Sequence, residues 1–444
     1  MKREILSSLI EWKAKPDRLP LILKGARQVG KTYSLTEFGN NYYKNSHYIN
    51  FESDTKLINI FETDLKPQRI LKEISYYLNK SIDEKTDLVI FDEVQNCPKA
   101  LTSLKYFNEE MPKLNIACAG SLLGLYLGEA SFPVGKVEFL DMYPMNFAEF
   151  IEAIDEKSCL EYLNGINKNN FETFKSEVMH QRLWDLLKLY FVVGGLPKMV
   201  STFKQFKSNE IDAFGQVRNK QKDLITSYIA DIAKHSGKIN SMHIERVWAS
   251  TASQLQNEHD GTAPKFRFSE VVKGNKKFSV LEGAIDWLSA CGLILKCPIV
   301  NTSKLPLSAY TKENMFKLFF FDVGLLGAIS GLQPSTIMGY DYGSYKGYFA
   351  ENFVMQELSG NGFNKLYNWR EVTAEVEFLL EHNSEIIPIE VKSGWITQAK
   401  SLNVYMQKYT PRVSVVASAK NFSLTKKELN IPLYAVSILK QLLS

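Results

Sequence analysis

Over the first third of the chain, short apolar runs alternate with stretches of helical periodicity. "LILKG", "YINFE", "DLVIFDE", "NIACAG" and "KVEFLD" read as strands. "TYSLTEFG", "LKPQRILKEISYYLN" and "PKALTSLKYFNEEM" read as helices, with Pro98 suited to a first turn. Such alternation predicts a parallel sheet wrapped by helices, an α/β fold. From about residue 156 to 335 the pattern turns mainly helical. "RLWDLLKLYFVVGGLPKMV" is an amphipathic run closed by Gly194, Gly195 and Pro197, which predict a helix-ending turn. "VLEGAIDWLSACGLILKC" reads as a helix, a stop at Gly292 and a short strand. Helices followed by a small hairpin predict a winged-helix module around residues 238–310; a plain helical connector fits the same pattern. From 336 to 444 strands return in "KLYNWR", "AEVEFLLE", "IIPIEVKS" and "RVSVVASA", flanked by helices at "KGYFAENFVMQELSG" and "TQAKSLNVYMQKY". The expected domains are 1–155, 156–335 and 336–444.

A chain of 444 residues with 45% hydrophobic and 23% charged residues has the make-up of an ordinary soluble protein with more than one core. Its net charge of +4 excludes a globally basic nucleic-acid binder, so any basic surface is local. The five cysteines form no CxxC pair and the six histidines show no paired-ligand spacing. This speaks against a disulfide framework and a zinc site. "MKREILSSLIEWKAKP" interrupts its apolar pattern with Glu4 and Glu11, unlike a signal peptide. The longest apolar stretch, "LFFFDVGLLGAISGL", is too short to span a bilayer, contains Asp322, and reads as buried core. A cytoplasmic protein with no membrane partner is expected.

One motif carries specific chemistry. Gly25, Ala26, Arg27, Gln28, Val29, Gly30, Lys31 and Thr32 spell G-x-x-x-x-G-K-T between a strand and a helix. Glycines at those positions let backbone N–H groups curl around phosphate oxygens, and the next helix aims its positive end at the same anion. Lys31 is placed to contact the β- and γ-phosphates, and the Thr32 hydroxyl to ligate Mg²⁺. Asp92 and Glu93 end the strand "LVIFDE". Asp92 is expected to hold Mg²⁺ through water, and Glu93 to orient and deprotonate an attacking water. Ser121, after the strand "NIACAG", is a candidate γ-phosphate sensor; a helix N-cap serine fits the position equally. No guanine-reading N-K-x-D motif falls in a suitable place, which favours adenine. ATP and Mg²⁺ are therefore the expected ligands.

"GARQVGKT", "VIFDEVQNCPKAL", "AGSLLG", "FPVGKVEFLDMYPMNFAEF", "YFVVGGLPKMV", "AIDWLSACGLI", "GYFAENFVMQEL" and "IIPIEVKSG" together resemble the AAA-type ATPases of bacteria and archaea with a C-terminal domain of unknown function. The resemblance covers nearly the whole chain. It implies a P-loop ATPase domain, a winged-helix-like middle and a restriction-endonuclease-like C-terminal domain. That family commonly carries arginine where Lys136 stands. An arginine there could act on a neighbour's nucleotide; lysine keeps the charge and loses the bidentate fork.

In the C-terminal region, Glu377 lies on one strand and Glu390 and Lys392 on the next. A hairpin brings Glu377 beside Glu390, and strand alternation turns 390 and 392 to one face. Glu351, on a nearby helix, could add another carboxylate. Two carboxylates and a lysine could hold Mg²⁺ and position a water for phosphodiester attack, which resembles the PD-(D/E)xK nuclease core. The family usually has aspartate where Glu377 stands, and a charged sheet edge explains the same residues. The basic loop "KGNKK" (Lys273, Lys276, Lys277) could touch DNA phosphates or simply be solvated. The expected activity is an ATP-driven switch or motor acting on DNA or a protein partner, with oligomerisation open. The alternatives are a metal-dependent nuclease regulated by ATP, and a nucleotide-gated interaction module with little turnover.

Overall fold

The computed structural model describes residues 1–121, 132–171, 175–236, 238–254, 266–272, 277–343, 345–363, 365–395, 399–425 and 427–443. The chain divides into two compact units. One comprises residues 1–143 with 290–292, and the other 144–289 with 293–444.

The first unit holds five strands: β1 (Leu21–Lys24), β2 (Ser46–Asn50), β3 (Leu88–Asp92), β4 (Asn115–Ala119) and β5 (Glu138–Asp141). They pair in the order β2-β3-β4-β1-β5, and all the pairings are parallel. Every residue of β3 and β4 is buried, as expected of central strands covered on both faces. Helices Lys31–Tyr42, Pro67–Leu78 and Pro98–Glu110 provide cover, the last two starting on proline, whose missing N–H costs nothing in a first turn. Phe51, Phe61 and Phe91 meet edge to face on one side of the sheet with ring centroids 5.6 to 5.8 Å apart. Each such ring contributes about 2–3 kcal/mol by leaving water.

The second unit is built on an eight-stranded mixed sheet in the order β12-β13-β11-β10-β9-β8-β6-β7. These strands are β6 (Ile294–Val300), β7 (Thr311–Phe320), β8 (Leu366–Glu371), β9 (Ala374–His382), β10 (Glu385–Val391), β11 (Ser414–Ser418), β12 (Ser423–Thr425) and β13 (Glu428–Pro432). The hairpin of β6 and β7 does not stand alone. It joins the C-terminal sheet through parallel pairing of β6 with β8. The start of "LFFFDVGLLGAISGL", which reads from sequence as buried core, is thus also strand: residues 316–320 close β7 and all five are buried.

Helices Glu177–Val193 and Pro197–Phe206 meet at a bend of 116°. Gly194 there has φ 76°, and a Cβ on it would lie 2.3 Å from Asp322 Oδ1. A Cβ on Gly195 would lie 2.1 Å from the Met145 carbonyl oxygen. Both positions therefore exclude side chains, the first also by its backbone conformation. Asp322 closes the bend by accepting from Gly195 N at 2.7 Å and from Leu325 N at 2.9 Å. Helix Tyr345–Gly360 supplies further polar clamps. Asn352 exchanges hydrogen bonds with both backbone groups of Phe320, Gln356 accepts from Val323 N and donates to Tyr190 Oη, and Glu357 accepts from Phe147 N. Among the described residues no single helix is long and apolar enough to cross a membrane.

Candidate nucleotide site

The turn from β1 into helix Lys31–Tyr42 is shaped by three left-handed residues, Gly25 (φ 145°), Gln28 (φ 66°) and Gly30 (φ 101°). A Cβ on Gly25 would sit 2.2 Å from the Met142 carbonyl oxygen, so only glycine fits beside the chain leaving β5. Gly30 caps the helix, whose first amides have no side-chain acceptor at the cap. Such amides suit an anion.

Lys31 is 7% exposed and donates to the Gly25 and Ala26 carbonyl oxygens at 2.9 and 2.8 Å. Burial pulls its ammonium down to about 8, against the Glu93 and Asp92 carboxylates that hold it up. Thr32 Oγ1 donates to Asp92 Oδ2 at 2.9 Å. Asp92 Oδ1 accepts from Glu93 N at 3.0 Å. Glu93 itself is left-handed, with φ 49°, and accepts from Gln95 Nε2. Arg27 Nε donates to Ser121 Oγ at 3.1 Å, which brings Ser121 to the loop. Its alternative role as a helix cap concerns residues 122–131, outside the described residues. Lys136 pairs with Glu109 at 3.2 Å. Lys273 and Lys276 of the basic loop also lie outside the described residues.

Two contributors escaped the sequence reading. Arg3, 8% exposed, donates to the Val29 carbonyl oxygen at 2.5 Å and to that of Tyr143 at 2.8 Å. It ties the loop to the strand exit facing it. Tyr48 Oη donates to Asp92 Oδ2 at 2.6 Å and accepts from Asn50 Nδ2 at 3.0 Å. Burial is the main cause that pushes the Tyr48 phenol up to about 12, so it stays a donor at neutral pH. The alternation that puts Tyr48 and Asn50 on one face of β2 was available in "YINFE"; no spacing rule marked it.

Thr32 and Asp92 bring two oxygen functions together next to a buried ammonium and a row of loop amides. Hydroxyl and carboxylate oxygens are the donors that Mg²⁺ prefers. The residues therefore fit a magnesium-bound polyphosphate.

The C-terminal carboxylates also converge, within the second unit. Lys392 Nζ lies 2.6 Å from Glu390 Oε1 and 3.9 Å from Glu377 Oε1. Glu377 Oε2 accepts from Val391 N at 3.1 Å. Glu351 joins through a residue the sequence reading passed over. Lys317, 3% exposed on β7, donates to Glu351 Oε2 at 2.7 Å and Glu375 Oε1 at 3.2 Å. Burial, then the neighbouring carboxylates, raises Glu377 well above the usual range; burial also raises Glu390, against the pull of Lys392. For Lys392, burial lowers the ammonium, but Glu377 and Glu390 outweigh it and the net direction is up. Among the described residues, no group of three or more His, Cys, Asp or Glu side chains stands ready to hold a metal ion. Two lysines already answer these carboxylates.

Residues 185–336 and 346–436 match two families, each described as a domain of unknown function. An uncharacterized protein of Methanocaldococcus jannaschii is 29% identical over 177 residues, which is 37% of this chain and 37% of that protein. The chain thus spans little more than a third of the length of the curated relative it matches. The similar solved structures include two at low TM-score. One is the Walker-type ATPase of Pyrococcus abyssi, with a TM-score of 0.48 and 16% identity over 74% of this chain and 95% of that one. The other is the Aeropyrum pernix Orc1 protein in complex with DNA, with a TM-score of 0.30 and 12% identity over 74% and 91%. Residues 17–151 match the family described as an AAA domain, the span that contains the loop, Asp92 and Glu93, and the chain therefore carries an AAA-type P-loop domain.

Proposed function

We propose that the protein is a Mg²⁺-dependent ATPase that works as a nucleotide-driven switch or motor on DNA or a protein partner. The observation that carries this reading is the 2.9 Å hydrogen bond from Thr32 to Asp92 beside the buried Lys31 ammonium. The loop amides from Gly25 to Thr32 receive the phosphates. Lys31 exchanges its two carbonyl partners for phosphate oxygens, which gives a desolvated ammonium charged acceptors in place of neutral ones. Thr32 and Asp92 hold the magnesium ion, which neutralises charge on the β- and γ-phosphates when bound. Glu93 orients a water and takes its proton, while Gln95 fixes the carboxylate. Ser121, linked to Arg27, senses the terminal phosphate. The protein with Lys31→Ala should neither bind nor turn over ATP. With Glu93→Gln, binding should persist while turnover falls about 100-fold. A folded wild-type protein that neither binds nor hydrolyses ATP would sink the proposal. Stimulation of turnover by DNA would favour a nucleic-acid partner over a protein one.

A second reading has the meeting of Glu377, Glu390 and Lys392 in its favour: a restriction-endonuclease-like domain over 336–444, behind a winged-helix-like region within 156–335. As a nuclease it should cut DNA with Mg²⁺ or Mn²⁺, and Glu390→Ala should abolish the cut. Lys317 and Lys392 already engage Glu351 and Glu390 directly, which supports a retained fold without cleavage. Plasmid and single strands left intact by metal and ATP would remove the nuclease reading.

A further inference from the structure

We propose that Tyr48 is a specificity-determining residue of the nucleotide site, one that makes Asp92 a magnesium rather than a calcium carboxylate. This rests on the nucleotide reading above. A carboxylate offers about four lone-pair directions. At Asp92 three are occupied. Oδ2 accepts from Thr32 Oγ1 at 2.9 Å and from Tyr48 Oη at 2.6 Å, and Oδ1 accepts from Glu93 N at 3.0 Å. One direction, on Oδ1, remains for a cation or its water.

The direction of the phenol hydrogen is itself set by the chain. Asn50 Oδ1 accepts from Glu52 N at 2.8 Å and Ser53 N at 2.9 Å, so its carboxamide is fixed with the nitrogen toward Tyr48. That nitrogen donates to the phenol oxygen at 3.0 Å. The phenol must then give its hydrogen to Asp92. The parallel register of β2 with β3 sets Asn50 opposite Asp92 and Tyr48 opposite Ile90, which holds all three groups on paired backbone.

A cation at this carboxylate therefore meets a single available lone pair. Mg²⁺ keeps most of its waters and accepts one-point or water-mediated contact. Ca²⁺ gains from bidentate carboxylates and a larger shell. Tyr48 blocks the bidentate mode by occupying Oδ2.

The test is equilibrium binding of N-methylanthraniloyl-ATP to the full chain in Mg²⁺, in Ca²⁺ and in EDTA, for wild type and Tyr48→Phe. Phenylalanine keeps the ring, and a melting curve checks the fold. The expected result is a Mg²⁺-to-Ca²⁺ affinity ratio narrowed by about fivefold or more, through tighter binding in Ca²⁺, with the EDTA value within about twofold of wild type. An unchanged ratio overturns the inference. An equal loss of affinity in all three conditions also overturns it, since Tyr48 would then only support the fold. A wild-type protein that binds the analogue in none of the three removes the nucleotide reading itself.

Discussion

Thr32 and Asp92, 60 residues apart in the chain, share a 2.9 Å hydrogen bond at the carboxyl edge of the parallel sheet. The bond couples the phosphate loop to the strand that ends in the acidic pair. Asp92→Asn keeps one acceptor oxygen and removes the charge that offsets a divalent cation. Turnover of ATP should fall about 100-fold or more, with the affinity for nucleotide in EDTA held near wild type. Parallel turnover and binding assays separate the two.

Lys31 makes nucleotide affinity depend on pH. Its ammonium titrates near 8 because burial disfavours the charge. A polyphosphate needs that ammonium, so binding above this pH must include uptake of a proton. Affinity should be flat from pH 6.5 to 7.5 and fall toward tenfold per unit above about 8.5. Stability runs the other way. The unfolded chain keeps the lysine protonated up to 10.5, so between about 8 and 10.5 it binds more protons than the folded one. In the nucleotide-free protein the cost of burying the charge, on the order of 3 kcal/mol, is relieved as pH rises through that window. Denaturant unfolding should show wild type gaining on Lys31→Met between pH 7 and pH 10. A constant difference would contradict the assignment.

The parts of the site legible in the sequence were those whose chemistry is local. Gly25, Gly30, Lys31 and Thr32 lie within eight positions, and a loop of that spacing after an apolar strand has few other uses. Asp92 and Glu93 stood out because β3 is apolar to its last residue. Arg3 and Tyr48 were not legible. Each acts across 26 or more residues, on an oxygen that only the fold brings near. Lys317 did leave a signal. A lysine inside "MFKLFFF" cannot be buried without carboxylates, and the apolar run that begins at Leu318 shows only core. β7 escaped as a strand because five consecutive buried residues lack the alternation that separates strand from buried helix. A small hairpin within 238–310 was expected from sequence, but the partner of β6 is β7 at Thr311–Phe320, beyond those bounds, and the pairing of β6 with β8 is a contact between distant segments that no local pattern encodes.

Asp322 is a second buried ionisable group with a readable cost. Burial raises its carboxyl to about 6, against the Leu325, Gly195 and Gly324 amides that pull it down. The folded chain thus binds more protons than the unfolded one between about 3.8 and 6. Its contribution to stability is full below that window and declines as pH rises through it, by on the order of 3 kcal/mol. Asp322→Ala leaves the Gly195 and Leu325 amides without an acceptor in the interior. It should destabilise the second unit by about 2–5 kcal/mol at pH 7 in urea unfolding. Gly194→Ala should cost a similar amount, because the new methyl meets Asp322 in a left-handed backbone. The pair should be less than additive, as both act on one bend.

The ion cluster on the C-terminal sheet predicts an asymmetry between removing acid and removing base. Burial and the neighbouring carboxylates raise the Glu377 carboxyl well above the usual range, so Glu377→Gln removes a charge the fold disfavours and should shift stability at pH 7 by about 1 kcal/mol or less. Lys317 is different. It is almost fully buried and serves Glu351 and Glu375 together. Lys317→Met leaves two carboxylates facing each other without a cation and should cost about 3–5 kcal/mol. Restoring balance tests the cause. Lys317→Met combined with Glu351→Gln should recover at least half of that loss, because one uncompensated charge goes with its partner. If the double variant is as unstable as the sum of the singles, Lys317 acts through packing of its stem rather than through its charge.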